Sequence, residues 1–383
     1  MAEHRRSRIH GAWVGVAAVL TGAAYFWGDF QPFRATGELG AERVKLRPVL
    51  ESSTTAPAFD YLKWLHGRAT GPPAQLQTWE LPAVKRWQRE QREIFLKRFV
   101  FPYEGAVQFR NVAEERLSAK SLQREWHVEL EGSRLFRFFE LRPSEDANRR
   151  LPAVVLFMGH GKVRQLFDRS SYQRGAATEL VRLGYAVYVM ENVAMGPSDE
   201  PEQHKQLDQI LSSSGYTWYS LLFAHQRMLL LHVFNQPNVD TSRVGVAGVS
   251  TGGLLALTAA ALEPRVRAAS VHGIFASLAD SFGRDHAKHC SCGTIDGLYP
   301  EFDLPRLALL VAPRALHVNN NQSDTFPPAD AERALVPFQA LQQRLGGPPA
   351  RFTSPPGKHS FALEQAKAFL SEVVPPGAAS EPE

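Results

Sequence analysis

Cysteine is almost missing: the 383 residues hold two, Cys290 and Cys292 in "HAKHCSCGTIDG". A bridge between residues two apart is strained, so no disulfide framework holds this fold together, and the pair is expected reduced or loosely linked. His286 and His289 lie beside the two thiols, but zinc sites space their cysteines wider and no second ligand cluster follows, so no metal is expected. Long basic runs are scarce as well. The formal net charge is +4, yet part of the excess sits in "HRRSR" at the start and no long Lys/Arg run recurs downstream, which leaves a nucleic-acid partner with little support. No internal repeat is present.

Charge is also missing from a long apolar stretch near the N-terminus. "MAEHRRSRIHGAWVGVAAVLTGAAYFWGDF" carries three arginines and then an uncharged run from Gly11 to Trp27. That is the pattern of a signal peptide or an N-terminal membrane anchor over residues 1–30. As a helix the run would be about 25 Å long, a little short for a bilayer core of about 30 Å, so both readings stand. Either way the remainder is expected to be exported, periplasmic or in the cell envelope, anchored by residues 11–27 or released after cleavage.

Residues 31–57 contain Pro, Thr and Ser without clear periodicity and read as a linker. Over 58–105 apolar residues recur three to four apart, as in "AVKRWQREQREIFLKRF", which predicts a helical N-terminal extension. The last ten residues, 374–383, read as a disordered tail. Between them, 106–373 forms one expected catalytic domain. It begins with a predicted antiparallel hairpin, "LQREWHVELEG" and "RLFRFFELRP". After that, buried strands such as "LPAVVLFMG" and "AVYVME" alternate with helices such as "GAATELVRLGY", and a helix at "PADAERALVPFQALQQRLG" is expected to be interrupted near Pro337. The pattern predicts an α/β fold: a doubly wound, mostly parallel sheet with helices on both faces.

The candidate chemistry centres on "RVGVAGVSTGG". Ser250 stands where an apolar strand ends and the Ala/Leu helix "GGLLALTAAAL" begins, so the chain must turn sharply with only small residues two before and two after it. Gly248 and Gly252 fill those places and form a nucleophile elbow. The Thr251 amide, at the start of the helix, would face a developing oxyanion. A serine hydroxyl needs a base and the base an orienting acid. "PPGKHSFAL" offers His359 before the last helix, and "VNNNQSDTFPP" offers Asp324 after the preceding strand, with Asp330 close by as a rival. The second oxyanion donor is expected in "MGHGKVRQ", from His160 or Gly161, the His160 imidazole being either functional or solvent-facing. In "MENVAMGPSDEPE", Met195, Asp199 and Glu200 either line the pocket or fill the loop.

These residues resemble the α/β-hydrolase superfamily and, within it, the acetylxylan esterase and dienelactone hydrolase-like group. The likeness runs through "NVDTSRVGVAGVSTGGLLALTAAALEPRVRAA", "HCSCGTIDGLYPEFDLPRLALLVAPRALHVNNNQSDTFP" and "GKHSF", about residues 100–370. It implies the α/β-hydrolase fold, hydrolysis of carboxylic esters through an acyl-enzyme, no metal and no organic cofactor. By matching motifs Ser250 would be nucleophile, His359 base, Asp324 its orienter and Thr251 an oxyanion donor. One departure is Met158 before Gly159, where many relatives have His. The partner implied is a small-molecule or carbohydrate ester, with a membrane only through the N-terminal segment. A serine peptidase of the same fold and an inactive, membrane-tethered binding module are the rival readings.

Overall fold

The computed structural model describes residues 80–118, 121–144, 149–195, 203–278, 295, 297–299 and 301–377. The leader at 1–30, the linker at 31–57, residues 58–79 of the extension, Asp199, Glu200, His286, His289, Cys290, Cys292 and the last six residues lie outside them. Among the described residues no helix is long and apolar enough to cross a membrane.

Nine strands form one sheet in the order β1-β2-β3-β5-β4-β6-β7-β8-β9. They span Val107–Ser118 (β1), Ser121–Leu130 (β2), Ser133–Pro143 (β3), Leu151–Phe157 (β4), Ala186–Met190 (β5), Val239–Val249 (β6), Ala268–His272 (β7), Ala315–Asn319 (β8) and Arg351–Thr353 (β9). β1 to β3 run antiparallel, β3 meets β5 antiparallel, and from β5 across to β9 every pair is parallel. The expected hairpin is β2–β3. Glu131 and Gly132 form its turn at φ 51° and 80°, the paired positive values that a two-residue loop needs to match strand twist. β1 had no sequence signal, because ten of its twelve residues are exposed edge positions and charged side chains hide the alternation.

The central strands show why the sheet is wrapped on both faces. Along β4, Ala153, Val155 and Phe157 enter one apolar cluster, while Val154 and Leu156 enter another on the opposite face. A strand with a core on either side can spare no polar position, which is the continuous run read from the sequence.

The larger cluster is covered by α1 (Leu81–Phe99), α4 (Trp218–Asn235), α5 (Thr251–Leu262), α6 (Leu304–Leu309) and α7 (Pro328–Arg344). The smaller lies under α2 (Ala176–Arg182) and α8 (Leu363–Val373). α3 (His204–Ser212) completes the described α-helices. All twelve residues of α5 are buried, in keeping with a helix apolar all round.

α1 buries Val84, Trp87, Gln88, Gln91, Phe95 and Phe99, one helical face. Its polar members are matched: Gln88 Nε2 donates to the carbonyls of Leu309 and Ala312 at 2.8 Å each, and Gln91 Oε1 accepts from Arg306 at 2.9 Å. The interruption expected at Pro337 is a misreading. α7 continues through it from Pro328 to Arg344, because proline there forfeits one backbone hydrogen bond while Ala334, Leu335, Phe338 and Leu341 stay buried together.

Candidate active site

Six segments, after β4 to β9, leave the carboxyl ends of parallel strands on the same rim, where open α/β sheets bind their ligands. Ser250 follows β6 with φ 59° and ψ −126°, a conformation that costs an L-residue on the order of 1–3 kcal/mol and persists only where its surroundings impose it. Its neighbours do so. A Cβ at Gly248 would lie 2.7 Å from the Phe157 carbonyl oxygen, and one at Gly252 would collide with the same carbonyl. β4 and the elbow are therefore in backbone contact, and only glycine fits both places. Ser250 itself is half-buried, and its amide donates to the His272 carbonyl at 2.9 Å.

Asp324 and His359 come together from turns 35 residues apart. His359 Nδ1 lies 2.8 Å from Asp324 Oδ1, which also accepts the Phe326 amide at 3.1 Å. The Asp324 side chain is 0% exposed and that of His359 28%, so the acid is shielded while the imidazole faces the rim. Such a pairing holds one tautomer, with Nδ1 protonated and Nε2 free to accept. Asp330, the rival acid, is buried on α7 and pairs with Arg333 instead.

Gly273 joins these parts. It follows His272 at φ 59°, and a Cβ on it would stand 3.0 Å from His359 Cε1 and 3.2 Å from Asp324 Oδ2. The residue after Ser250's backbone partner thus packs on the His–Asp pair. Among the described residues, no hydrogen bond joins Ser250 Oγ to His359. Unliganded sites often hold this contact long.

Thr251 opens α5, ahead of the first amide with an intrahelical partner, Leu254, whose N–H donates to Ser250 O. Its side chain is buried, with Oγ1 accepting from the Tyr219 hydroxyl at 3.3 Å. In the loop after β4, the His160 side chain belongs to a half-buried residue, and its Nε2 lies 3.1 Å from Nε2 of the buried His204. Gly161 has φ 138°, which L side chains rarely adopt. Met195 does not line a pocket; it is fully buried in the larger core. Among the described residues no group of three or more His, Cys, Asp and Glu could hold a metal ion.

Residues 121–280 match the family model for acetyl xylan esterase (AXE1). Among solved structures, a candidate acetyl xylan esterase from Bacteroides fragilis superposes with TM-score 0.64 at 16% identity, over 79% of this chain and 83% of that one. A glucuronoyl esterase from Solibacter usitatus gives 0.56 at 14%, over 75% and 92%, and a promiscuous CE15 esterase from a marine bacterial metagenome gives 0.54 at 15%, over 74% and 89%. No curated protein matches the sequence. The chain has the α/β-hydrolase fold.

In this fold the loops that carry Asp324 and His359 are held by a buried polar chain that sequence reading missed. Asn321 Nδ2 donates to the Lys358 carbonyl at 2.7 Å and the Ser360 carbonyl at 3.1 Å, so it brackets His359. Asn321 Oδ1 accepts from Asn319 at 2.8 Å, Asn319 Oδ1 accepts from Thr353, and the Thr353 hydroxyl meets His317 Nε2. Ser270 Oγ then bridges His317 Nδ1 and His272 Nε2 at 2.8 and 2.7 Å. Burial pushes the pKa of His317 down to about 3 and that of His272 well below its ordinary value, so both rings are neutral scaffold. Tyr172 and Asn192, which touch the loop after β4, were also missed. A polar Asn two residues beyond a buried strand was a usable signal; a Tyr inside "SSYQRG" was not.

Proposed function

We propose that this chain is a serine hydrolase that cleaves carboxylic esters through an acyl-enzyme. The observation that carries the reading is the Asp324–His359 hydrogen bond on the rim where the Ser250 elbow emerges, with Gly273 packed against the pair. His359 Nε2 takes the Ser250 proton as Oγ attacks the ester carbonyl, and Asp324 stabilises the imidazolium formed. The Thr251 amide and a second amide, from His160 or Gly161, hold the oxyanion. The intermediate collapses to an acyl-serine while His359 returns the proton to the leaving alcohol. Water then attacks with the same base, releasing the acid and regenerating Ser250.

The AXE1 stretch, together with the likeness to acetyl xylan and glucuronoyl esterase structures, supports esterified carbohydrate as the substrate class. The basic-then-apolar leader supports work outside the cytoplasm. The test is twofold. Wild-type protein should take a fluorophosphonate label that Ser250→Ala abolishes, and it should turn over p-nitrophenyl esters or acetylated sugars. An unlabelled, folded wild type would support a binding module, and amidase activity without esterase activity a peptidase.

A further inference from the structure

We infer that Tyr172 is a positioning residue that orients both the base and an oxyanion donor, an inference that rests on the ester-hydrolase reading above. Tyr172 lies between a short 3-10 turn at Val163–Leu166 and α2. Its ring is nearly parallel to the His359 imidazole, at 17° with centroids 6.1 Å apart. Its carbonyl accepts the amide of Phe361, two residues beyond His359, at 2.8 Å. The backbone and ring of Tyr172 are thus fastened to the loop that carries the base.

Its hydroxyl reaches the opposite partner. It donates to the His160 carbonyl at 2.9 Å and accepts from Nε2 of the buried Gln173 at 3.3 Å. In a planar trans peptide the C=O and the following N–H point in opposite directions, so holding the His160 carbonyl sets the direction of the Gly161 N–H. Asn192 acts one peptide earlier. Its Nδ2 donates to the Gly159 carbonyl at 3.3 Å and thereby sets the direction of the His160 N–H.

The loop needs such restraint because Gly159 and Gly161 leave its peptides free to rotate. A donor held in place before reaction stabilises the oxyanion without reorganisation at the moment of attack. Tyr172 therefore couples the two halves of the machinery through one rigid side chain, and its hydroxyl is the part that governs the donor.

Tyr172→Phe separates the two roles, since it keeps the ring over His359 and deletes only the hydroxyl. We expect kcat on p-nitrophenyl acetate, and the rate of fluorophosphonate labelling at Ser250, each to fall about tenfold, short of the full loss of an oxyanion donor. KM should stay within about twofold, because the interaction matters to the transition state more than to bound substrate. Tyr172→Leu, which also uncovers the imidazole, should lose about a further tenfold. A thermal melt of each variant checks that it is folded. If wild type is labelled at Ser250 and folded Tyr172→Phe matches it in kcat and labelling rate, the positioning role is overturned while the hydrolase reading stands. A raised KM at unchanged kcat overturns it too, by making Tyr172 a substrate contact. A wild type that is neither labelled nor active removes the hydrolase reading and this role with it.

Discussion

The amide of Ser250 donates to the carbonyl of His272 at 2.9 Å, and the residue after His272 packs on the His359–Asp324 pair. Through β7, the elbow and the proposed base are referenced to one backbone segment. Replacing Ser250 by Ala removes the proposed nucleophile and leaves that hydrogen bond in place. Turnover should fall on the order of 10⁴–10⁶-fold, with the melting midpoint close to wild type. Retained esterase activity in a purified Ser250→Ala protein would remove this serine from the mechanism.

Gly273→Ala tests the packing itself. The added methyl would press on His359 and Asp324, and φ 59° would strain any L-residue, at a cost of about 1–3 kcal/mol. Both stability in urea and kcat should drop. The kcat loss should exceed what the unfolded fraction accounts for, because the imidazole is displaced.

Asp324→Asn and Asp330→Asn discriminate the two acids. Asn at 324 can present its amide to His359 Nδ1 and favour the wrong tautomer, so kcat should fall by about 10⁴. Asp330→Asn weakens a bond to Arg333 away from the site and should leave kcat unchanged. Equal losses in both would mean that the orienter is misassigned.

Stability should fall on acidification through the buried histidines. Burial lowers the pKa of His225 and His317 to about 3 and that of His232 to about 4. In the unfolded chain these groups titrate near the ordinary histidine value of about 6.5, so below that pH the unfolded state binds more protons than the folded one. Their stabilisation is complete above about pH 6.5. It is lost as pH falls toward 3, by about 1.4 kcal/mol per pH unit for each group. Urea midpoints at pH 8, 6 and 5 should be flat and then decline, and His232→Gln should soften the decline. A midpoint constant down to pH 5 would mean that these rings are hydrated or already charged.

Much of this was readable along the chain. Continuous apolar runs such as "LPAVVLF" can be stable only where both faces are covered, so the doubly wound sheet followed from composition over a few residues. The elbow was equally local, because two glycines around a serine at a strand-to-helix junction leave one way for the backbone to turn. Local patterns failed where charge masked geometry, as at β1, or where a single residue was overruled by packing, as at Pro337. They left Met195 open between pocket and loop, whereas its side chain is claimed by the core.

By itself the sequence determined which segments become strand or helix and which residue types stand at strand ends, because burial and backbone sterics act over neighbouring residues. Only the tertiary structure decided that Asp324 rather than Asp330 meets His359, that His272 and His317 are neutral supports, and that Tyr172 spans base and loop. Those choices are made between groups far apart in the chain, by distances and shielding from water that arise only once the sheet is assembled.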